Sequence, residues 1–298
     1  MKSLRLFLTL IGITLLTFSC SDDDNSENNS YIRIPDSVFE SMLIDLGVDS
    51  DKKVNQQILT SDAKKVVKLD LPFSASFGSI MDLRGIEGFT NITFLSAPQH
   101  DISEIDLSKN DKLEFLNLTA NNLNTIDLSN NKNLKEVGLE SNLLSSITGL
   151  EQATNLLELD LSYNYFKELT VKNTLLEVLH MTDNDLTLLD ISKCTQIKSM
   201  LLTTNKLAVL NLDNNTKLET LLISNNKLAG IDLKNNNSLT YLFISSNELE
   251  SLDLSQNQKL LEIHVDRNPD LNCIKIESNQ NIPNVYKSDS QQLSESCI

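Results

Sequence analysis

Three histidines, one acidic loop and the cysteines are the residues of this chain whose types could do chemistry. His180 and His264 stand 84 residues apart, four periods of a 21-residue spacing that runs through most of the sequence. At about 4.8 Å per stacked strand they would be roughly 19 Å from each other, too far to share a metal ion or pass a proton. Asp49, Asp51 and Asn55 have the spacing of a calcium loop. Val54, however, stands where such a loop turns on Gly, and Thr60 where it closes with Glu, so no metal is expected. No GxSxG elbow, HExxH helix or phosphate-binding Gly loop accompanies the remaining polar residues. The sequence reads as that of a protein without catalytic residues or cofactor.

What must position these residues is a repeat. Asn121, Asn142, Asn164, Asn184, Asn205, Asn226, Asn247 and Asn268 are separated by 20 to 22 residues. Each follows two aliphatic residues, five and three positions earlier, as in Leu116 and Leu118, Leu221 and Ile223, or Ile263 and Val265. An alternating aliphatic pair is what a strand with one buried side requires. An Asn just after it can supply donor and acceptor to the turn that leaves the strand. His100 occupies the same register 21 residues before Asn121 and is expected to replace that amide. Cys194 stands where other periods carry Asn131 or Asn215, in the turn after Asp190, and reads as a small packed thiol. The return path repeats as Ile126-Asp127-Leu128-Ser129 or Leu252-Asp253-Leu254-Ser255, in short extended pieces and turns.

The unit Leu113–Leu123 spells LxxLxLxxNxL and resembles the leucine-rich repeat family over residues 66–276. The resemblance implies an α/β-type repeat solenoid, β-rich, shaped as a horseshoe with a parallel concave sheet. A short helix over Val38, Phe39, Met42, Leu43 and Leu46, with Ser37 and Glu40 as its capping box, is expected to close the first coil within an N-terminal cap, 31–65. Ile34 to Phe39 together with Leu43, Asp45, Leu46 and Gly47 resembles the cap of secreted Bacteroidetes repeat proteins. Leu83, Gly85, Ile86, Glu87 and Gly88 resemble the first repeats of internalin-like proteins.

Residues 1–19 form an expected signal peptide, with Lys2 and Arg5 before a 13-residue, mostly apolar run too short to span a bilayer. Cys20 after Leu16, Thr17, Phe18 and Ser19 resembles a bacterial lipobox, with Thr17 where the strict motif has Leu. Ser21, Asp22, Asp23 and Asp24 resemble the surface-export signal of Bacteroidetes lipoproteins. The reading is therefore an exported outer-membrane lipoprotein facing the exterior, with 20–30 as the lipidated Cys20 and an acidic tether. In an oxidising compartment, Cys273 and Cys297 would bridge the irregular C-terminal cap, 277–298.

Losing Lys2 and Arg5 takes the formal charge from −16 to −18. Such a surface repels phosphate backbones, so nucleic acid is excluded as a partner and the membrane is reached only through acyl chains. Function would then lie on the exposed strand positions. The middle column runs Asn117, Gly138, Asp160, His180, Leu201, Leu222, Phe243 and His264, with Val178 and Tyr241 in the column before. Val178, His180, Leu201, Leu222, Tyr241, Phe243 and His264 are the candidate ligand-binding residues of the concave face. The expectation is recognition or adhesion toward a protein first and a glycan second; the alternative is a structural subunit of an outer-membrane lipoprotein assembly.

Overall fold

The structure, a computed structural model, describes residues 30–297. The expected export signal, Cys20 and the acidic residues after it lie outside the described residues.

Because aliphatic residues recur two apart once per period, each coil lays down one short strand with its centre turned inward. In Phe115–Asn117, Leu116 is fully buried while its two neighbours stay half-exposed. Eleven such strands, from Lys68–Asp70 to Asn284–Tyr286, pair in chain order and in parallel to form one sheet. Leu116, Val137, Leu159, Leu179, Met200, Leu221, Leu242 and Ile263 face one another strand by strand, so the interior is an aliphatic column. The buried apolar residues form a single core from Ile34 to Ile282.

The return side is built of turns, two short 3-10 helices at Ile86–Gly88 and Leu150–Gln152, and short parallel strands. The recurring Asp of that side makes Asx-turns: Asp127 Oδ1 accepts the Ser129 N–H at 2.9 Å, and Asp190 does the same with Ser192 at 3.0 Å. Hydrogen bonds from Ser129 hold the Asp127 carboxyl below the usual carboxylate range.

Between sheet and return side runs a polar ladder. Asn226 Nδ2 donates to Leu202 O of the preceding coil at 3.0 Å and to Ile223 O of its own coil at 3.1 Å, while its Oδ1 accepts the Leu207 N–H at 3.0 Å. Asn121, Asn142, Asn164, Asn184, Asn205, Asn247 and Asn268 repeat this pattern. His100 takes the same place with its two ring nitrogens, Nδ1 accepting Ile80 N–H at 3.1 Å and Nε2 lying 2.8 Å from Leu71 O, which assigns the proton to Nε2. To turn the amide inward, the residue before each ladder position adopts the left-handed region. Ala120, Tyr163, Thr204 and Arg267 all have φ between 54° and 59°.

A second ladder, read in the sequence only as turn markers, is equally buried. Asn131 Nδ2 donates to Leu107 O and Asn110 O of the coil before, and Asn110, Asn173, Asn215, Asn236 and Asn257 do the same one coil at a time. Their Oδ1 atoms have no partner. Cys194 interrupts this ladder with a single contact from Sγ to Val171 O at 3.3 Å, and burial pushes its thiol up to about 12.

The N-terminal helix spans Ser37–Asp45. Its cap differs from the expected capping box: Asp36 is the N-cap, its Oδ1 accepting Val38 N–H and Phe39 N–H, and its Oδ2 reaching Met81 N–H and Asp82 N–H of the first coil. A carboxylate with four N–H donors outcompetes a serine hydroxyl here. Glu40, fully buried, turns away from the helix start to accept the N–H groups of Asn55, Gln56 and Gln57. Phe39, Met42 and Leu43 are buried against the coil, whereas Leu46 is 50% exposed. The strand Tyr31–Arg33 lies so close to the first coil that a Cβ on Gly88 would come within 2.2 Å of Ile32 Cδ1.

At the other end, the segment after 276 follows the coil plan instead of an irregular path. Its strand Asn284–Tyr286 pairs with Glu262–His264, and Gln280 and Gln291 extend the two ladders onto Asn257 O and Asn268 O. The Cys273–Cys297 disulfide ties its end back to the preceding coil.

Two outcomes follow. Asn226→Ala strands two carbonyls and one N–H inside the solenoid and is expected to lower the unfolding free energy by about 1 to 3 kcal/mol in a urea titration. Thr204→Asn relieves a β-branched residue held at φ 59° and is expected to raise stability by about 1 kcal/mol in the same titration.

Candidate functional site

The register of the sheet turns periodic sequence positions into columns on its open face. Leu201, Leu222, Phe243 and His264 face one another on consecutive strands, and Tyr286 follows on the last one. The His264 ring packs between Phe243, with centroids 3.9 Å apart, and Tyr286, at 4.2 Å, while its Nε2 lies 2.7 Å from Glu262 Oε1. Five side chains thus make one strip across the open face. Tyr241 borders it from the neighbouring column and is 39% exposed.

Not every candidate joins this strip. Ser199 and Thr220 stand between Val178 and Tyr241 in their column, so Val178 belongs to a different part of the face. His180 neighbours Leu201 but leans the other way, its Nδ1 3.4 Å from Asp160 Oδ2. His180 and His264 stand four strands apart. Tyr286 escaped the sequence reading because its segment lacks the ladder Asn. Its only advance signal was an aromatic residue 22 positions after His264.

Toward the N-terminal end the same face carries a different chemistry. Phe94 and Phe115 stack with centroids 4.3 Å apart and planes within 2°, and Lys68 Nζ sits 4.4 Å above the outer face of Phe94. Beyond Phe115, Gly138 leaves a hollow of about 250 Å³ walled by Phe115, Glu136, Glu158, Asp160 and His180. Asp160 accepts the Ser162 N–H at 2.9 Å. Although burial alone would raise its carboxyl, the bonds from His180 and Ser162 hold it below the ordinary range. Desolvation and the charge of Asp160 push the nearby Glu140 upward.

The acidic loop of the cap folds on itself. Asp51 accepts Lys53 N–H and Asn55 Nδ2–H, and Asp49 Oδ1 accepts Asp51 N–H at 3.3 Å. Asp49 is 2% exposed and its Oδ2 has no partner. Among the described residues, no three His, Cys, Asp or Glu side chains converge to hold a metal ion.

No protein-family model and no curated protein sequence matches the chain. Solved structures do. The functional domain of InlJ from Listeria monocytogenes, described as including a cysteine ladder, is 25% identical with a TM-score of 0.68; the match covers 90% of this chain and 64% of that domain. Internalin C2 of Listeria monocytogenes is 18% identical with a TM-score of 0.59, covering 70% and 94%. The APL1 leucine-rich repeat domain is 22% identical with a TM-score of 0.57, covering 76% and 69%. The last two likenesses show the fold alone. The chain spans about two thirds of the length of the InlJ domain that it matches. The fold is a leucine-rich repeat solenoid, with the parallel sheet as its concave face.

Burial raises the Asp49 carboxyl above the ordinary aspartate value of 3.8. Its native state is therefore favoured by protonation: that contribution is complete below 3.8 and is lost as pH rises through the raised native value. Asp49→Asn is expected to increase the melting temperature at pH 7, with the increase vanishing below the ordinary aspartate value in a pH series.

Proposed function

We propose that the chain is a cell-surface binding module that recognises a protein partner through the concave sheet face. The strip Leu201–Leu222–Phe243–His264–Tyr286 carries this reading. Five adjacent strands place apolar and aromatic side chains in one open line roughly 19 Å long. Contiguous exposed apolar surface on a soluble body marks a contact site, and stacked coils supply it without any change of backbone. Leu201 and Leu222 stand in the same line as the rings of Phe243, His264 and Tyr286, a mixture that suits the apolar side chains of a protein partner.

The surroundings support a place outside the cell. The Cys273–Cys297 disulfide persists in an oxidising compartment, and the sequence of residues 1–24 reads as an export signal followed by a lipidation site. We therefore place the molecule on the outer membrane as a lipoprotein of internalin-like type, held by acyl chains on Cys20 with the solenoid facing outward.

The test is capture of partners from outer-membrane and host extracellular extracts by the immobilised chain and by a folded Leu222→Asp, Phe243→Asp variant. A protein retained by the wild type and lost at least tenfold by the variant is the expected result. Equal capture by both would overturn the assignment to this face. Digestion of the solenoid by protease added to intact cells is expected as well, and complete resistance would favour a structural subunit buried in a membrane assembly.

A further inference from the structure

The hollow at Gly138 is unexplained by the fold. Its φ is not in the left-handed region, and an added Cβ would meet only ordinary contacts, 3.5 Å from Asn117 Oδ1 and 3.6 Å from Thr119 Oγ1. Equivalent positions on other strands hold Leu201, Leu222 and Phe243 without disturbing the coil. Glycine here is therefore not a requirement of the backbone; its effect is to leave a cavity at this point of the face.

The walls of that cavity state a chemistry. On one side is the Phe115 ring. Phe94 covers the face toward the preceding strand, and the opposite face points toward the Glu136 strand. The chain itself shows what such a ring stack accepts at its other end, where the Lys68 ammonium sits over Phe94. On the next two strands of the same column stand Glu136 and Glu158, both exposed and without a cationic partner among the described residues. Lys135 and Lys198, on nearby positions, are already paired with Glu114 and Glu177. An aromatic ring beside two unpaired carboxylates is complementary to a planar cation with several donors.

We propose that the Gly138 hollow is a specificity pocket for an arginine side chain of the protein partner, its guanidinium stacked on Phe115 and bonded to Glu136 and Glu158. This rests on the reading of the sheet face as a protein-binding surface and extends it to the partner's chemistry. Gly138 and Leu201 are three strands apart, roughly 14 Å. An extended segment rises about 3.3 Å per residue, so a partner with an apolar side chain about four residues from its arginine engages pocket and strip together. A lysine fits less well, because a point-like ammonium neither lies flat on the ring nor forks between two carboxylates.

The test uses fluorescein-labelled synthetic peptides that carry Arg and, four residues on, Phe. Matched peptides replace Arg by Lys or by the neutral isostere citrulline, and fluorescence anisotropy with the full chain reads binding. The expected result is binding of the Arg peptide, at least tenfold weaker binding of the citrulline peptide, and a smaller loss with Lys. Glu136→Gln with Glu158→Gln should reproduce the citrulline loss on the protein side. Gly138→Leu, which fills the hollow with a residue the column already tolerates, should abolish the Arg preference while thermal unfolding stays as in the wild type. Glu104→Gln, away from the hollow, should bind normally. Equal binding of Arg and citrulline peptides, with loss only in the Leu222→Asp, Phe243→Asp variant, would overturn the arginine pocket and leave the sheet-face reading standing. Binding unaffected by any sheet-face variant would overturn both, and no binding of the Arg peptide would overturn the pocket.

Discussion

Each coil of this solenoid leaves its strand inside the molecule, where water cannot reach the carbonyls and N–H groups of the turn. A buried amide group without a partner costs about 1 to 3 kcal/mol, and the turn repeats once per period. The ladder asparagines meet that demand by linking neighbours: Asn226 donates to Leu202 O one coil back, and its oxygen receives Leu207 N–H of that same coil. No interior coil is satisfied alone. Stability in such an array is a sum of coil and interface contributions, and here the interface contribution has a polar part at two depths, since Asn131 and its equivalents bridge coils a second time.

The same constraint explains features that look unrelated. Turning the amide inward forces the residue before it into the left-handed region, even where that residue is Tyr163 or Thr204. It lets His100 stand in the ladder, because an imidazole with one protonated nitrogen offers the donor and acceptor that an amide does. It sets the form of both ends. Asp36 and Glu40 satisfy the N–H groups of the entry, and Gln280 and Gln291 reach back to the carbonyls of the coil before.

A rigid register also frees the outward positions. With the backbone fixed by ladder and core, the face can carry leucine at one coil, an aromatic at the next and nothing at Gly138 without refolding. The chemistry of the face is therefore varied by substitution at constant geometry. The outcome is a face with two regions, an apolar strip at its C-terminal end and an acidic, aromatic-walled hollow nearer the N-terminus.

By itself the sequence determined what repeats. The 21-residue spacing, the alternating aliphatic pair and the Asn after it carried the leucine-rich repeat resemblance that implied stacked coils and a parallel sheet, and the period itself set the register and the line from Leu201 to His264. Positions outside the strict period were less legible. Tyr286 lay in a segment without a ladder Asn, and the second ladder, from Asn110 to Asn257, read only as turn residues because nothing in one coil shows that its amide enters the next. Ser37 had the spacing of a cap, but only the approach of the first coil made Asp36 the better acceptor. The Phe94–Phe115 stack and the Gly138 hollow belong wholly to the tertiary structure. They arise between strands, from which side chains the register sets face to face, and spacing along the chain carries no measure of the space left between them.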